Sequence, residues 1–143
     1  MTEGVIFMLS EHFSESEFWC HGQDQGTCNC GHSLKIDPRL IELLEQLRDI
    51  TGGEPLYINS GYRCPDHNAA IGGASRSQHT MGTAADIACP DHLTMPEFLW
   101  YCQQLPFDGI GYYYRGAGKG PCTGWIHVDV REGGIGANIY WEG

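Results

Sequence analysis

The chain has 143 residues, of which 18 are acidic and 8 are basic, giving a formal net charge of −10 at pH 7. This length is enough to bury a sizeable core, so we expect residues 1–143 to form a single domain with an irregular, cysteine-rich N-terminal segment over residues 1–33. The basic residues are scattered, which excludes the concentrated positive surface of a nucleic-acid-binding protein. The acidic balance argues weakly against adhesion to anionic membranes or polymers by charge alone.

The N-terminus lacks the features of a secretory leader. Residues 1–9 contain the acidic Glu3 and no basic residue, and their apolar stretch is short. Since no other segment is apolar enough to cross a bilayer, we expect synthesis in the cytoplasm and no membrane insertion. In a reducing compartment, seven cysteines favour metal binding or free thiols over disulfides.

The first strong helix signal follows the irregular N-terminal segment. Asp37 is a typical N-cap and Pro38 suits the first helical turn. Apolar residues recur at helical spacing as far as Ile50, after which residues 51–53 end the helix. A short strand is predicted over residues 56–59, followed by a compact turn with a helical stretch around residues 67–71.

The second half of the chain predicts three more strands and one more helix. Residues 84–88 form the first of these strands. Thr94 and Glu97 have the spacing of a capping box, and the helix that they begin ends at Pro106. Residues 109–114 and 124–130 are the remaining strands, joined by a glycine-rich loop. This order predicts a small α+β fold with helices packed mainly on one side of an antiparallel sheet.

Three potential metal ligands lie on or beside these strands. His79 precedes a strand, Asp86 lies on it, and His127 lies in the middle of the last predicted strand. Two imidazoles and one carboxylate are the ligand set of a catalytic zinc site, with a fourth position left for water. Strand alternation places Asp129 on the same face as His127. Taken singly, each of these residues is more often a core, cap or turn residue, so spacing alone only suggests zinc.

Four sequence blocks, in their order and spacing, resemble one known family. They are residues 60–68, 71–74, 77–86 and 125–129. They resemble the zinc D-Ala-D-Ala carboxypeptidase and peptidoglycan endopeptidase family (peptidase M15-like), which shares its fold with the hedgehog signalling domain. The resemblance extends over residues 13–131, most of the chain, and implies the hedgehog/DD-peptidase fold.

The resemblance also implies a site and an activity. It makes His79, Asp86 and His127 the zinc ligands, and Arg63 an arginine beside the substrate, where its planar donor fork suits a peptide carbonyl or a terminal carboxylate. The implied activity is zinc-dependent hydrolysis of a peptide bond in peptidoglycan stem peptides, by a D-Ala-D-Ala carboxypeptidase or an L,D-endopeptidase. We expect a monomer. Family members without a leader are often phage or prophage lysis proteins, which implies action on the cell wall after phage-type release.

The resemblance leaves the general base open. Many members carry an acid three residues before the last zinc histidine, and others a second histidine two residues before it; this chain has Gly124 and Trp125 there. Asp129 is either the base or an acceptor that orients a ligand histidine. A base from a loop, Asp108 or Glu132, is the third alternative.

The N-terminal segment contains a second group of potential ligands: Cys20, Cys28, Cys30 and His32. Thiolates and an imidazole suit a structural zinc ion. The spacing differs from that of a standard zinc finger, so free thiols or a disulfide are the alternatives.

Two alternatives to an enzyme stay open for the whole chain. One is a zinc-binding module without activity, as the hedgehog relatives suggest. The other is a phage structural domain of the same fold, whose metal only stabilises it.

Overall fold

A computed structural model describes residues 6–74, 77–114, 124–131 and 139–142. The described residues contain a five-stranded sheet in the order β1-β2-β4-β3-β5. Its strands are β1 (Ile58–Ser60), β2 (Ala84–Ala88), β3 (Gly109–Tyr114), β4 (Gly124–Asp129) and β5 (Ile139–Glu142). The first four pair antiparallel, whereas β5 adds parallel to β3. The α+β class with an antiparallel sheet is therefore confirmed, with β5 as a strand that the sequence pattern did not predict.

The described α-helices are α1 (Pro38–Ile50), α2 (Pro65–Ala70), α3 (Gln78–Met81) and α4 (Met95–Gln103). The start of α1 is as predicted, since the Asp37 carboxylate accepts a hydrogen bond from the backbone N–H of Arg39 at 2.9 Å. The capping box of Thr94 and Glu97 is present at the start of α4. These caps satisfy backbone N–H groups that have no partner within the helix. No helix among the described residues is long and apolar enough to cross a membrane.

The hydrophobic core lies between one face of the sheet and helices α1 and α4. Its fully buried members include Leu40, Leu44, Leu47, Phe98, Ile87, Ile110, Ile126 and Val128. Burying an aliphatic or aromatic side chain of this size stabilises the fold by about 1.5–3 kcal/mol. Because side chains alternate along β4, this packing turns His127 and Asp129 to the opposite face.

The N-terminal segment is mostly irregular, as expected, and joins the core through two aromatic side chains. It contains two short 3₁₀ helices, Glu15–Glu17 and Gly22–Gln25. Phe13 and Phe18 are buried and pack edge to face, with ring centroids 5.8 Å apart. The segment is thus attached to the core by apolar contacts rather than by sheet pairing in a named strand.

Candidate active site

Helix α3 and strands β2 and β4 bring the three predicted ligands together. Asp86 lies opposite His127 in the antiparallel register of β2 and β4. Its Oδ1 is 3.2 Å from His79 Nε2 and 3.1 Å from His127 Nδ1. Ligand atoms of all three residues lie within 4.8 Å of one another. A single ion can therefore contact two nitrogens and one oxygen at this point.

A hydrogen bond on its far side orients each imidazole. His79 Nδ1 lies 2.8 Å from the carbonyl oxygen of Gly61, which can only accept, so Nδ1 carries the proton and Nε2 faces Asp86. His127 is arranged in the opposite sense, because its Nε2 lies 2.8 Å from Asp129 Oδ2 and its Nδ1 faces Asp86. A proton on each outer nitrogen leaves a lone pair of both rings directed at the same point, which is the usual arrangement of metal-binding histidines.

Asp129 lies on the side of the His127 ring away from Asp86. It is fully buried, and Arg131 donates to both of its oxygens at 2.8 and 2.7 Å. Burial raises the pKa of the Asp129 carboxyl, but the hydrogen bonds from Arg131 and His127 outweigh burial and lower the pKa to about 2. The carboxylate is therefore ionised and held against a ligand histidine. Of the two roles considered for Asp129, this position favours the orienting acceptor.

The third alternative for the general base was a loop residue, Asp108 or Glu132. The buried Asp108 accepts a hydrogen bond from Arg39 Nη1 at 2.9 Å and is not among the residues that line the cleft described below. Glu132 lies outside the described residues.

Asp86 and His127 each stabilise the charged form of the other. Burial raises the pKa of the Asp86 carboxyl, but contacts with His127 and His79 outweigh burial and hold the pKa well below its ordinary value. Burial lowers the pKa of His127, but hydrogen bonds to Asp129 and Asp86 outweigh it and raise the pKa. The buried carboxylate of Asp129 and the partly buried carboxylate of Asp86 therefore favour a positive charge between them, which protons or a metal cation can supply.

The ligand cluster forms part of a cleft of about 380 Å³. Arg63 lines it together with the three ligands, and its Nη1 donates to Asn68 Oδ1 at 2.9 Å. Its Nε is buried and has no hydrogen-bond partner among the described residues. Burial lowers the pKa of the guanidinium, an effect that the nearby Asp86 partly opposes. Because the partly exposed Arg63 lines the cleft, the outer edge of its guanidinium can donate to a ligand there.

An aromatic pair borders the same cleft. Tyr113 lines the cleft and stacks on Trp125, with ring centroids 4.9 Å apart and an angle of 5° between the rings. Gly124 precedes Trp125 with a φ of 110°, a conformation that residues with a side chain rarely adopt. The backbone conformation therefore accounts for glycine at position 124.

The donor set fits zinc, which binds histidine nitrogen and carboxylate oxygen and keeps one position open when three protein ligands hold it. The fold and this site together define a metal-dependent hydrolase. The sequence model of the Peptidase M15 family matches residues 11–129, and the chain belongs to this family. The resemblance found in the sequence is thereby confirmed, and the family together with the donor set indicates a zinc metallopeptidase.

One curated relative matches a shorter segment. Over 44 residues the chain is 41% identical to the zinc D-Ala-D-Ala carboxypeptidase of Streptomyces albus G. The match covers 31% of this chain and 17% of that protein.

The cysteine cluster differs from its prediction in one member. Cys20, Cys28 and Cys30 lie together, and the fourth ligand-type side chain beside them in the described residues is Cys64 and not the predicted His32. His32 Nε2 instead lies 2.7 Å from Asp24 Oδ1, and its ring stacks on Trp19. These two contacts hold the imidazole, so it is not a member of the thiol cluster.

Other residues of the site were not singled out from the sequence. Arg131 follows Asp129 by two residues, and strand alternation is the signal that would place the two side chains on one face. No sequence pattern points to Asn68 or to the Gly61 carbonyl. Asn68 contacts Arg63 and the Gly61 carbonyl contacts His79, and both contacts depend on the path of the loop after β1.

Proposed function

We propose that this protein is a zinc-dependent peptidase that hydrolyses a peptide bond in peptidoglycan stem peptides, as a D-Ala-D-Ala carboxypeptidase or an L,D-endopeptidase. The observation that carries the proposal is the convergence of His79 Nε2, Asp86 Oδ1 and His127 Nδ1 in a cleft that also contains Arg63. The family and the name of the Streptomyces relative support the choice of substrate.

In this proposal the three ligands hold zinc and the rest of the cleft binds the peptide. When bound, zinc supplies Lewis acidity toward the scissile carbonyl and lowers the pKa of water. His79 and His127 present fixed lone pairs because Gly61 and Asp129 hold their far nitrogens. Their preorganisation avoids a reorientation cost when the metal binds.

Arg63 positions the substrate in this mechanism. Its guanidinium donates to a peptide carbonyl or a terminal carboxylate, and burial strengthens that hydrogen bond because water competes less. The stacked Tyr113 and Trp125 form an apolar wall along the same cleft. Among the described residues that line the cleft, Asp86 is the one carboxylate. We therefore assign binding and orientation to these side chains and name no general base.

Product analysis on synthetic stem peptides tests the proposal. Purified full-length protein is incubated with a pentapeptide ending in D-Ala-D-Ala, and mass spectrometry identifies the bond cleaved. Release of the C-terminal D-alanine, which leaves a product that still begins with L-Ala, indicates a carboxypeptidase, whereas a product that has lost its N-terminal L-Ala indicates an endopeptidase. We expect a chelator to stop hydrolysis, zinc to restore it and His127→Ala to abolish it.

The matched control is His92→Ala, which removes an exposed histidine that lies outside the cleft lining. It should keep full activity. A folded, zinc-loaded protein that leaves every stem peptide intact would contradict the proposal and favour a binding module of the same fold.

A further inference from the structure

A second group of metal-type ligands lies outside the cleft. The Sγ atoms of Cys20, Cys28, Cys30 and Cys64 all lie within 4.8 Å of one another, and none of the four cysteines forms a disulfide. Cys28 Sγ is 3.9 Å from Cys20 Sγ and 3.6 Å from Cys30 Sγ. Four sulfurs arranged as a tetrahedron about 2.3 Å from a zinc ion are about 3.8 Å apart. Both of these sulfur–sulfur distances are close to the 3.8 Å expected for a tetrahedral zinc site.

The surroundings of the sulfurs also suit thiolates. Backbone N–H groups donate to three of them: Ser33 to Cys30 at 3.4 Å, Cys64 to Cys20 at 3.5 Å, and His67 to Cys64 at 3.4 Å. Such donors stabilise the charged form of sulfur and orient the ligands of a metal site. Cysteines that merely fill an apolar core have little need of these donors.

A glycine allows the N-terminal segment to approach helix α2 closely. A Cβ atom built on Gly22 would lie 2.6 Å from Cys28 Sγ and 2.7 Å from His67 Cβ, so only glycine allows this approach. Thr27 Oγ1 lies 2.6 Å from His67 Nδ1, which adds a polar contact between the same two segments.

We propose that Cys20, Cys28, Cys30 and Cys64 bind a structural zinc ion as four thiolates, tying the irregular N-terminal segment to the loop that carries Arg63. Closed sites with four thiolate ligands are typical of structural zinc. The segment over residues 20–30 has a single short 3₁₀ helix and no strand. Because no sheet pairing holds this segment, a zinc ion bound by its cysteines and by Cys64 stabilises its conformation.

The loop over residues 61–64 connects this site to the cleft. At one end the Gly61 carbonyl contacts His79 Nδ1 at 2.8 Å, and at the other Cys64 belongs to the thiol cluster. Between them, the backbone N–H of Arg63 donates to the His79 carbonyl at 3.2 Å. The second zinc therefore fixes a short loop that also orients a ligand histidine and places the substrate arginine.

Metal analysis of the full-length protein, purified under reducing conditions, tests this site. We expect two equivalents of zinc per chain in the wild type and one in Cys28→Ser/Cys30→Ser. The control Cys102→Ala removes a buried free cysteine outside the cluster and should keep two. One equivalent in the wild type, kept by the double variant, would overturn the proposal.

Cobalt substitution distinguishes the two sites by their absorption spectra. It needs no cysteine replacement, so its result does not depend on whether a cysteine variant folds. Co²⁺ bound by four thiolates gives intense charge-transfer absorption in the near ultraviolet, and His79→Ala should retain it while losing the cleft metal. A wild-type protein that shows this absorption with cobalt but hydrolyses no stem peptide with zinc would contradict the proposed function alone. Absence of the absorption from cobalt-loaded wild type would contradict the thiolate site alone.

Discussion

Each nitrogen of the His127 ring contacts a different carboxylate. One side of the ring faces the proposed metal position, and the other faces the residues that orient the ring. Its Nδ1 is 3.1 Å from Asp86, and its Nε2 is 2.8 Å from Asp129. The Asp129 carboxylate, held by Arg131, favours the tautomer in which the lone pair of Nδ1 is directed toward Asp86 and can bind a metal. The imidazole therefore separates the two carboxylates, and they have different roles.

Replacing Asp129 by asparagine tests this division. Asp129→Asn keeps the size of the side chain but removes the charge that stabilises the His127 tautomer, so we expect zinc affinity to fall about 10–100-fold. Competition with a chromophoric chelator measures the change. Asp91→Asn, which alters an exposed carboxylate, is the control and should bind zinc normally. Unchanged zinc affinity with a large loss of kcat would instead identify Asp129 as the general base.

Replacing Arg63 by lysine separates charge from geometry in substrate binding. Arg63→Lys keeps one positive charge and loses the planar fork, so we expect KM for a stem peptide to rise about tenfold or more. Zinc content should stay unchanged, since Arg63 is not a ligand. Arg48→Lys on α1, outside the cleft lining, is the control. An unchanged KM would show that Arg63 does not contact the peptide.

At the level of elements, the sequence predicted those with strong local signals. α1 has a cap, a proline at its start and an apolar period, and the strands β2, β3 and β4 are short segments rich in apolar or aromatic residues. α3 was missed because four residues are too few for a helical period to appear. Its bounds come from the Ser77 cap and from Gly82, whose φ is 75°.

Contacts between distant segments were the harder part to predict. β5 pairs parallel with β3, and no turn signal between neighbouring segments announces a parallel pair. Cys64 joins cysteines that are 34 or more residues earlier in the chain, while the nearby His32 turns to Asp24. The grouping of His79, Asp86 and His127 was predictable because several motifs flank these residues. The thiol cluster has no flanking motif, and the spacing of its cysteines indicated three of its four members.

The start of β3 offers a test of how strands support the site. A Cβ atom built on Gly109 would lie 2.6 Å from Arg131 Nη2 and 2.7 Å from Asp129 Cγ. Gly109→Ala should therefore displace the Asp129–Arg131 pair and destabilise the protein by about 1–3 kcal/mol. We expect zinc affinity to fall with it, because the support of His127 is lost. Thermal unfolding and zinc competition measure the two effects. Wild-type stability and zinc affinity would contradict the close packing of β3 on this pair.

The chain carries a formal net charge of −10, which would oppose its approach to the anionic cell wall that the proposed function implies. Repulsion between like charges weakens binding at low salt, and the Debye length falls from about 30 Å at 0.01 M to about 8 Å at 0.15 M ionic strength. We therefore expect binding to isolated cell walls to strengthen several-fold across this range. Cosedimentation measures the fraction of protein bound to the walls at each ionic strength. Hydrolysis of a soluble stem peptide is the control, since the net charge of the protein repels a small substrate less strongly.

The opposite salt dependence would identify a different mode of contact. If binding to walls weakens as salt rises, a local cluster of basic residues overrides the net charge, and attraction rather than cleft recognition brings the protein to the wall. With 8 basic residues scattered among 18 acidic ones, the charge distribution favours the first result. Recognition then depends on short-range contacts made inside the cleft, by Arg63 and the bound metal, and not on long-range steering.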